Sequence, residues 1–203
     1  ADDEVTENMP THKTLFYGML RKDRLLDIIN NFVLWSEDSK ILSAYHQYFG
    51  VKKAITSTEV AIDNRAGKAG ILWHTQGSGK SFSMVFYAGN MIKVLRNPSI
   101  VVVTDRNDLD DQLYTTFCSA SSYLRTTPIQ VTSRKDLLNK LKTLKQGGII
   151  FTTIQKFDKD EIQVNERNNI IVMADEAHRG HYGVYEKISY ERNDETNELE
   201  LIS

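Results

Sequence analysis

Ile71-Leu72-Trp73-His74-Thr75-Gln76-Gly77-Ser78-Gly79-Lys80-Ser81 decides the fold. Its three leading apolar residues predict a short strand, its glycines a tight turn, and the stretch Phe82 to Leu95 a helix. A strand that turns through glycines into a helix gathers backbone N–H groups at the helix start, where the partial positive charge favours an anion. Side chains at Gly77 and Gly79 would obstruct the inward turn of those N–H groups. In that setting Lys80 reaches the β- and γ-phosphates of a nucleoside triphosphate, and the Ser81 hydroxyl is placed to ligate Mg2+. His74 is the one departure, standing where the usual loop has its first glycine. The bland alternative is a chance glycine-rich turn, against which the strand before and the helix after both weigh.

Downstream, strands and helices alternate. Ile100-Val101-Val102-Val103 predicts a buried strand, about Asp108 to Phe117 a helix, and Ile129-Gln130-Val131 a further strand. Lys135 to Leu144 predicts a helix with Leu137, Leu138, Leu141 and Leu144 on its apolar face, closed by Gly147-Gly148 ahead of the strand Ile149-Ile150-Phe151-Thr152. Ile170-Ile171-Val172-Met173 is the last clear strand. Near-continuous apolar strands separated by helices imply an α/β fold, with a mostly parallel sheet covered by helices on both faces. Upstream, helices are expected from about Leu20 to Leu34 and from near Ile41 to Arg65, with Gly50 weakening the second, and residues 1–14 read as a polar tether. The acidic, polar stretch from Glu191 to Glu200 reads as a poorly ordered tail or a hairpin at best.

That last strand runs into Ala174-Asp175-Glu176-Ala177-His178. Parallel sheets present their active edge at the strand C-termini, so both carboxylates are expected to face the nucleotide. Asp175 would hold Mg2+, and Glu176 would orient and deprotonate the attacking water. His178 lies too far along for that base and is assigned to sensing the γ-phosphate or coupling to a partner lobe. A solvated turn with surface acids is the plain alternative, and five apolar residues ending in Asp-Glu argue against it.

Bulk composition neither helps nor hinders. A hydrophobic content of 40% in 203 residues supports one sizeable core, and a net charge of -2 requires any nucleic-acid face to be a local patch. Cys118 is the single cysteine, which excludes an internal disulfide and suits a buried structural thiol. The start Ala1-Asp2-Asp3-Glu4 has no signal character, and no run reaches the roughly 18 apolar residues of a membrane span, so a cytoplasmic setting without membrane contact is expected.

Gly79-Lys80-Ser81 with Asp175-Glu176-Ala177-His178 resembles superfamily 2 helicases and translocases. The fuller set is similar to one branch, the restriction subunit of type I restriction–modification enzymes. That set comprises His74 to Ser81, Thr104 to Leu113, Thr152-Thr153-Ile154-Gln155-Lys156-Phe157 and Asp175 to Gly180, with Phe16 to Leu20, Asn31 to Leu34 and Tyr45-His46-Gln47-Tyr48-Phe49 ahead of them. The resemblance covers roughly residues 12–185.

It implies a RecA-like first motor domain over 41–190, led in by a linker and helix over 1–40 and followed by a polar tail over 191–203. It implies ATP and Mg2+ as cofactors, the loop residues Thr75, Gln76, Gly77, Ser78, Gly79, Lys80 and Ser81 around the nucleotide, and Gln47 reading the adenine ring. It further implies duplex DNA, with Thr104, Arg106, Thr152, Thr153, Gln155 and Lys156 along the track of one strand; for these positions a helix cap is the ordinary alternative. Methyltransferase and specificity subunits are the implied partners, together with a second motor lobe and a nuclease domain elsewhere in the same polypeptide. Two other readings remain open, a stand-alone superfamily 2 helicase on DNA or RNA and a nucleotide-binding switch without turnover; a small-molecule kinase fits least.

Overall fold

The computed structural model describes residues 10–36, 39–75, 77–104, 107–156, 169–175, 190–192 and 199–201, the backbone alone at 11, 14, 107–111, 190–192 and 199–201. Its centre is a four-stranded parallel sheet built from β3 (Ser99–Thr104), β4 (Ile129–Gln130), β5 (Ile149–Thr153) and β6 (Ile170–Ala174), in the order β4-β5-β3-β6. Register is tight: Val102 lies opposite Phe151 on one side and Met173 on the other. Strand alternation then sorts the core into two layers. Ile100, Val102, Ile149, Phe151 and Met173 pack with helix α4 (Lys80–Val94) and helix α5 (Asn107–Ser119) in one cluster. Val101, Val103 and Ile150 meet Leu137 and Leu141 of helix α7 (Arg134–Thr143) in the other. Both faces of the sheet are therefore covered, as the continuous apolar runs required.

Local chemistry sets the borders. Helix α7 is capped by Ser133, whose hydroxyl accepts the Asp136 N–H at 3.2 Å. Such a cap satisfies one of the four N–H groups that every helix start leaves without a backbone partner. A short helix α6 (Ser121–Leu124) follows α5, and Tyr123 packs so closely on α4 that a Cβ at Gly89 would fall 2.2 Å from its ring. Cys118, on α5, is half-buried rather than fully enclosed. The tail carries an antiparallel pair, β7 (Tyr190–Arg192) with β8 (Leu199–Leu201).

The N-terminal region departs from the sequence reading in three ways. Helix α1 (Thr11–Gly18) begins inside the expected tether. Helix α2 (Lys22–Asn31) stops well short of Leu34, because Val33–Ser36 and Ser39–Leu42 form an antiparallel hairpin, β1 and β2. Val33 continues the helical spacing of Ile28, Ile29 and Phe32, and Ile41 that of Tyr45 and Tyr48, yet β-branched and aromatic residues also suit a strand, and hairpin pairing decided between the two. The next helix, α3 (Tyr45–Asp63), starts at Tyr45 instead of Ile41 and carries Gly50 without a break. A Cβ at Gly50 would lie 3.3 Å from Leu72, so that glycine serves close packing. Ile71-Leu72-Trp73, expected as a strand, pairs with no strand among the described residues and leaves Ile71 90% and Trp73 82% exposed.

Residues on both sides of residue 40 share one core. Phe32, fully buried, stacks edge-on against Tyr48 of α3 and lies 5.7 Å from Phe86 of α4. Asp27 reinforces the join by accepting hydrogen bonds from Asn31 and Tyr48 and pairing with Lys52 at 3.0 Å. Burial alone would raise the Asp27 carboxyl, but those partners outweigh it and hold the pKa below its ordinary value. Truncating the aromatic ring that links all three helices has a defined cost. Phe32→Ala is expected to destabilise the fold by about 3–5 kcal/mol, the scale for an enclosed phenylalanine, read from the urea midpoint at unchanged m-value.

Candidate active site

Helix α4 begins at Lys80, and the loop before it turns through two glycines with positive φ, Gly77 and Gly79, each at +78°. At Gly79 a Cβ would also lie 2.6 Å from the Gln47 amide nitrogen, so both backbone and space demand glycine there. Ser78 closes the loop on itself: its N–H and its hydroxyl both donate to the Thr75 carbonyl, at 3.2 and 2.6 Å. The hydroxyl proton is thereby committed, so His74 Nδ1, 3.1 Å from the same oxygen, must carry a proton and donate. His74 thus replaces the expected glycine with a brace across the loop.

That assignment leaves Nε2 of a neutral His74 as an acceptor, and among the described residues it is buried without a hydrogen-bond partner. Burial, followed by the nearby His46 and Lys80, pushes the His74 pKa below 6.5. The fold favours the neutral imidazole.

At the sheet edge, the Asp175 N–H donates to the Val103 carbonyl at 2.8 Å, extending the β6–β3 ladder by one bond and fixing the carboxylate at the strand end. Lys80 Nζ lies 2.7 Å from Asp175 Oδ1. The loop lysine and the strand-end acid therefore meet, although 95 residues separate them in sequence (175 minus 80). Ser81 follows Lys80 in the first turn of α4, half-buried. The donor set fits a nucleoside triphosphate with a hard cation: backbone N–H groups and an ammonium for phosphate oxygens, a hydroxyl and a carboxylate for Mg2+. Gln76, Glu176 and His178 lie outside the described residues.

Gln47 sits on α3, buried, with both ends of its amide engaged. Its Oε1 accepts the Ala44 N–H at 2.7 Å, and its Nε2 donates to the Gly79 carbonyl at 2.9 Å. As it stands, the residue expected at adenine is tied to the phosphate loop. Thr104, Thr152 and Thr153 end the central strands side by side, and all three are buried. Gln155 is exposed, and half-buried Lys156 donates to the Val131 carbonyl at 2.6 Å. Arg106 lies outside the described residues.

Sequence reasoning missed two contributors. His46, one residue before Gln47, meets the Ser78 carbonyl at 2.9 Å and stacks edge-on to His74 with ring centroids 5.9 Å apart. Nothing in the spacing of a lone His on a helix signals that contact. His74 was visible only as a departure from the usual loop.

The SWI2/SNF2 ATPase family model matches residues 46–195. Over 92% of its length the chain is 48% identical to the type I restriction enzyme HindI endonuclease subunit of Haemophilus influenzae, covering 18% of that protein. A putative type I restriction enzyme endonuclease subunit of Methanocaldococcus jannaschii is 40% identical over 83% of the chain and 17% of its own length. A Staphylococcus aureus type I restriction enzyme endonuclease subunit is 26% identical over 89% of the chain. The chain spans less than a fifth of the length of these relatives. Among the described residues no helix is long and apolar enough to cross a membrane.

The depressed His74 pKa has a signed consequence. Stability from the neutral ring is complete above 6.5 and is lost as pH falls from 6.5 through the lowered folded value, since the unfolded chain then binds the extra proton. The drop in melting temperature between pH 7.5 and pH 5.5 should be smaller in His74→Gln than in the unsubstituted chain. Equal drops would remove His74 as a source of that dependence.

Proposed function

As a member of the SWI2/SNF2 ATPase family, the chain is, we propose, the first motor lobe of a type I restriction endonuclease subunit, binding Mg2+-ATP to drive translocation of duplex DNA. DNA cleavage would follow at a nuclease domain elsewhere in the longer polypeptide, with methyltransferase and specificity subunits completing the complex. A single observation carries the nucleotide half of this reading: the 2.7 Å approach of Lys80 to Asp175 across the mouth of the glycine loop. The DNA half rests on the relatives and on the motif order.

The chain's own residues divide the chemistry. Gly77, Ser78 and Gly79 offer backbone N–H groups to the phosphate chain, joined by Thr75 and Gln76. Lys80 neutralises charge at the β- and γ-phosphates, its ammonium having three donors with which to reach their oxygens. Asp175 and Ser81 are the residues that would hold Mg2+. The ion, when bound, supplies neutralisation of charge on the phosphates. Glu176 accepts the proton of the attacking water, and His178 reports the γ-phosphate to the neighbouring lobe. Before nucleotide arrives, the lysine and the aspartate neutralise each other, so neither charge stands alone in a half-buried site. Gln47 reads the adenine edge with the second N–H and the second oxygen lone pair that its two hydrogen bonds leave over. Along the DNA strand, Gln155 and Lys156 are the accessible contacts, while Thr104, Thr152 and Thr153 line the strand ends behind them and Arg106 adds a charge.

Nucleotide binding and hydrolysis separate in two substitutions. Lys80→Ala is expected to abolish ATP binding by calorimetry, whereas Glu176→Gln retains binding and loses about 10²–10³ in hydrolysis rate. Equal turnover in Glu176→Gln and the unsubstituted protein would remove that base. The 203-residue chain alone is expected to hydrolyse ATP slowly, because an arginine supplied by a second lobe is worth about 10³–10⁵ in such reactions. In the longer subunit, duplex DNA should stimulate ATPase activity; stimulation by RNA alone would point to the stand-alone helicase instead.

A further inference from the structure

The phosphate loop is gripped from outside by two neighbouring side chains of α3. His46 Nε2 lies 2.9 Å from the Ser78 carbonyl, and Gln47 Nε2 lies 2.9 Å from the Gly79 carbonyl. A carbonyl only accepts, so both side chains donate, and His46 carries its proton on Nε2. The peptide bonds here are trans, and in a planar trans peptide the C=O and the following N–H point in opposite directions. Drawing the Ser78 carbonyl toward α3 therefore turns the Gly79 N–H away from α3. Drawing the Gly79 carbonyl the same way turns the Lys80 N–H with it. Two consecutive N–H groups facing one side, around a left-handed Gly79 (φ +78°), form a concave anion-binding nest.

The two grips are not equivalent. The Gly79 carbonyl also accepts the Ser83 N–H at 3.1 Å, the first bond of helix α4, so the helix alone aims the Lys80 N–H. The Ser78 carbonyl precedes the helix. Among the described residues its hydrogen bond comes from His46. The Ser78 side chain is held separately, by Thr75 and His74, which anchors the residue while leaving the plane of its outgoing peptide to His46.

We propose that His46 is a positioning residue of the nucleotide site, setting the Ser78–Gly79 peptide so that the Gly79 N–H is aimed at a phosphate oxygen before the nucleotide arrives. This rests on the nucleotide reading above and adds to it a residue outside the loop. Preorganisation of this kind strengthens binding because the donor need not be reoriented when the ligand enters.

The test uses the full chain and two substitutions, with ADP affinity by calorimetry and the Gly79 amide proton shift on adding inorganic pyrophosphate. His46→Phe keeps a ring and loses the donor. His46→Gln keeps a donor of similar reach. His46→Phe should weaken ADP about fivefold, the factor that one net hydrogen bond is worth, and should shrink the pyrophosphate-induced shift at Gly79. His46→Gln should recover most of both. ADP affinity in His46→Phe equal to the unsubstituted chain would overturn the proposal, as would a His46→Gln variant as weak as His46→Phe, which would mark a packing role. Failure of the unsubstituted chain to bind ADP would overturn the nucleotide reading and this proposal together, whereas binding that ignores His46 overturns the proposal alone.

Discussion

The ion pair between Lys80 and Asp175 joins a loop that opens a helix to an acid that closes a strand. Its geometry depends on the parallel sheet. Only when β3 and β6 run the same way do their C-termini share an edge, and only then does the carboxylate after β6 face the start of α4. The pair also sets the electrostatics of the sheet edge. Each charge compensates the other, which keeps the cost of holding two ions in a half-buried cleft low.

The layer ahead of the sheet belongs to the same construction. Phe32 packs α2 against α3 and α4, and the Asp27 cluster fixes α2 to α3. With α3 so placed, its first turn projects His46 and Gln47 onto the phosphate loop. Residues that look like a lead-in along the chain thus become part of the site's wall.

Much of the sheet was legible because its signal is local. Ile100 to Val103 and Ile149 to Thr152 are apolar on consecutive residues, the mark of strands covered on both faces, and Leu137 and Leu141 repeat at helical spacing on the helix that covers one of them. The errors fell where a segment's state depends on a partner. Val33 and Ile41 extend the helical spacing of their neighbours, and only the pairing of Val33 with Leu42 and of Leu34 with Ile41 makes these ends strands. Ile71 to Trp73 has the composition of a strand, but strand structure needs a neighbour, and the described sheet ends at β6 with Val172 62% exposed.

By itself the sequence determined the α/β class, the glycine loop with its lysine, and the acid at a strand end, because each depends on residue type and short spacing alone. Tertiary structure decided which of these meet. It brought Lys80 to Asp175, tied Gln47 to the loop, buried Thr104, Thr152 and Thr153, and set His46 and His74 on Ser78. A hydrogen bond between residues 32 positions apart, such as His46 with Ser78, leaves no periodic trace in the chain. Such contacts arise from how helices and strands pack, which local propensity does not encode.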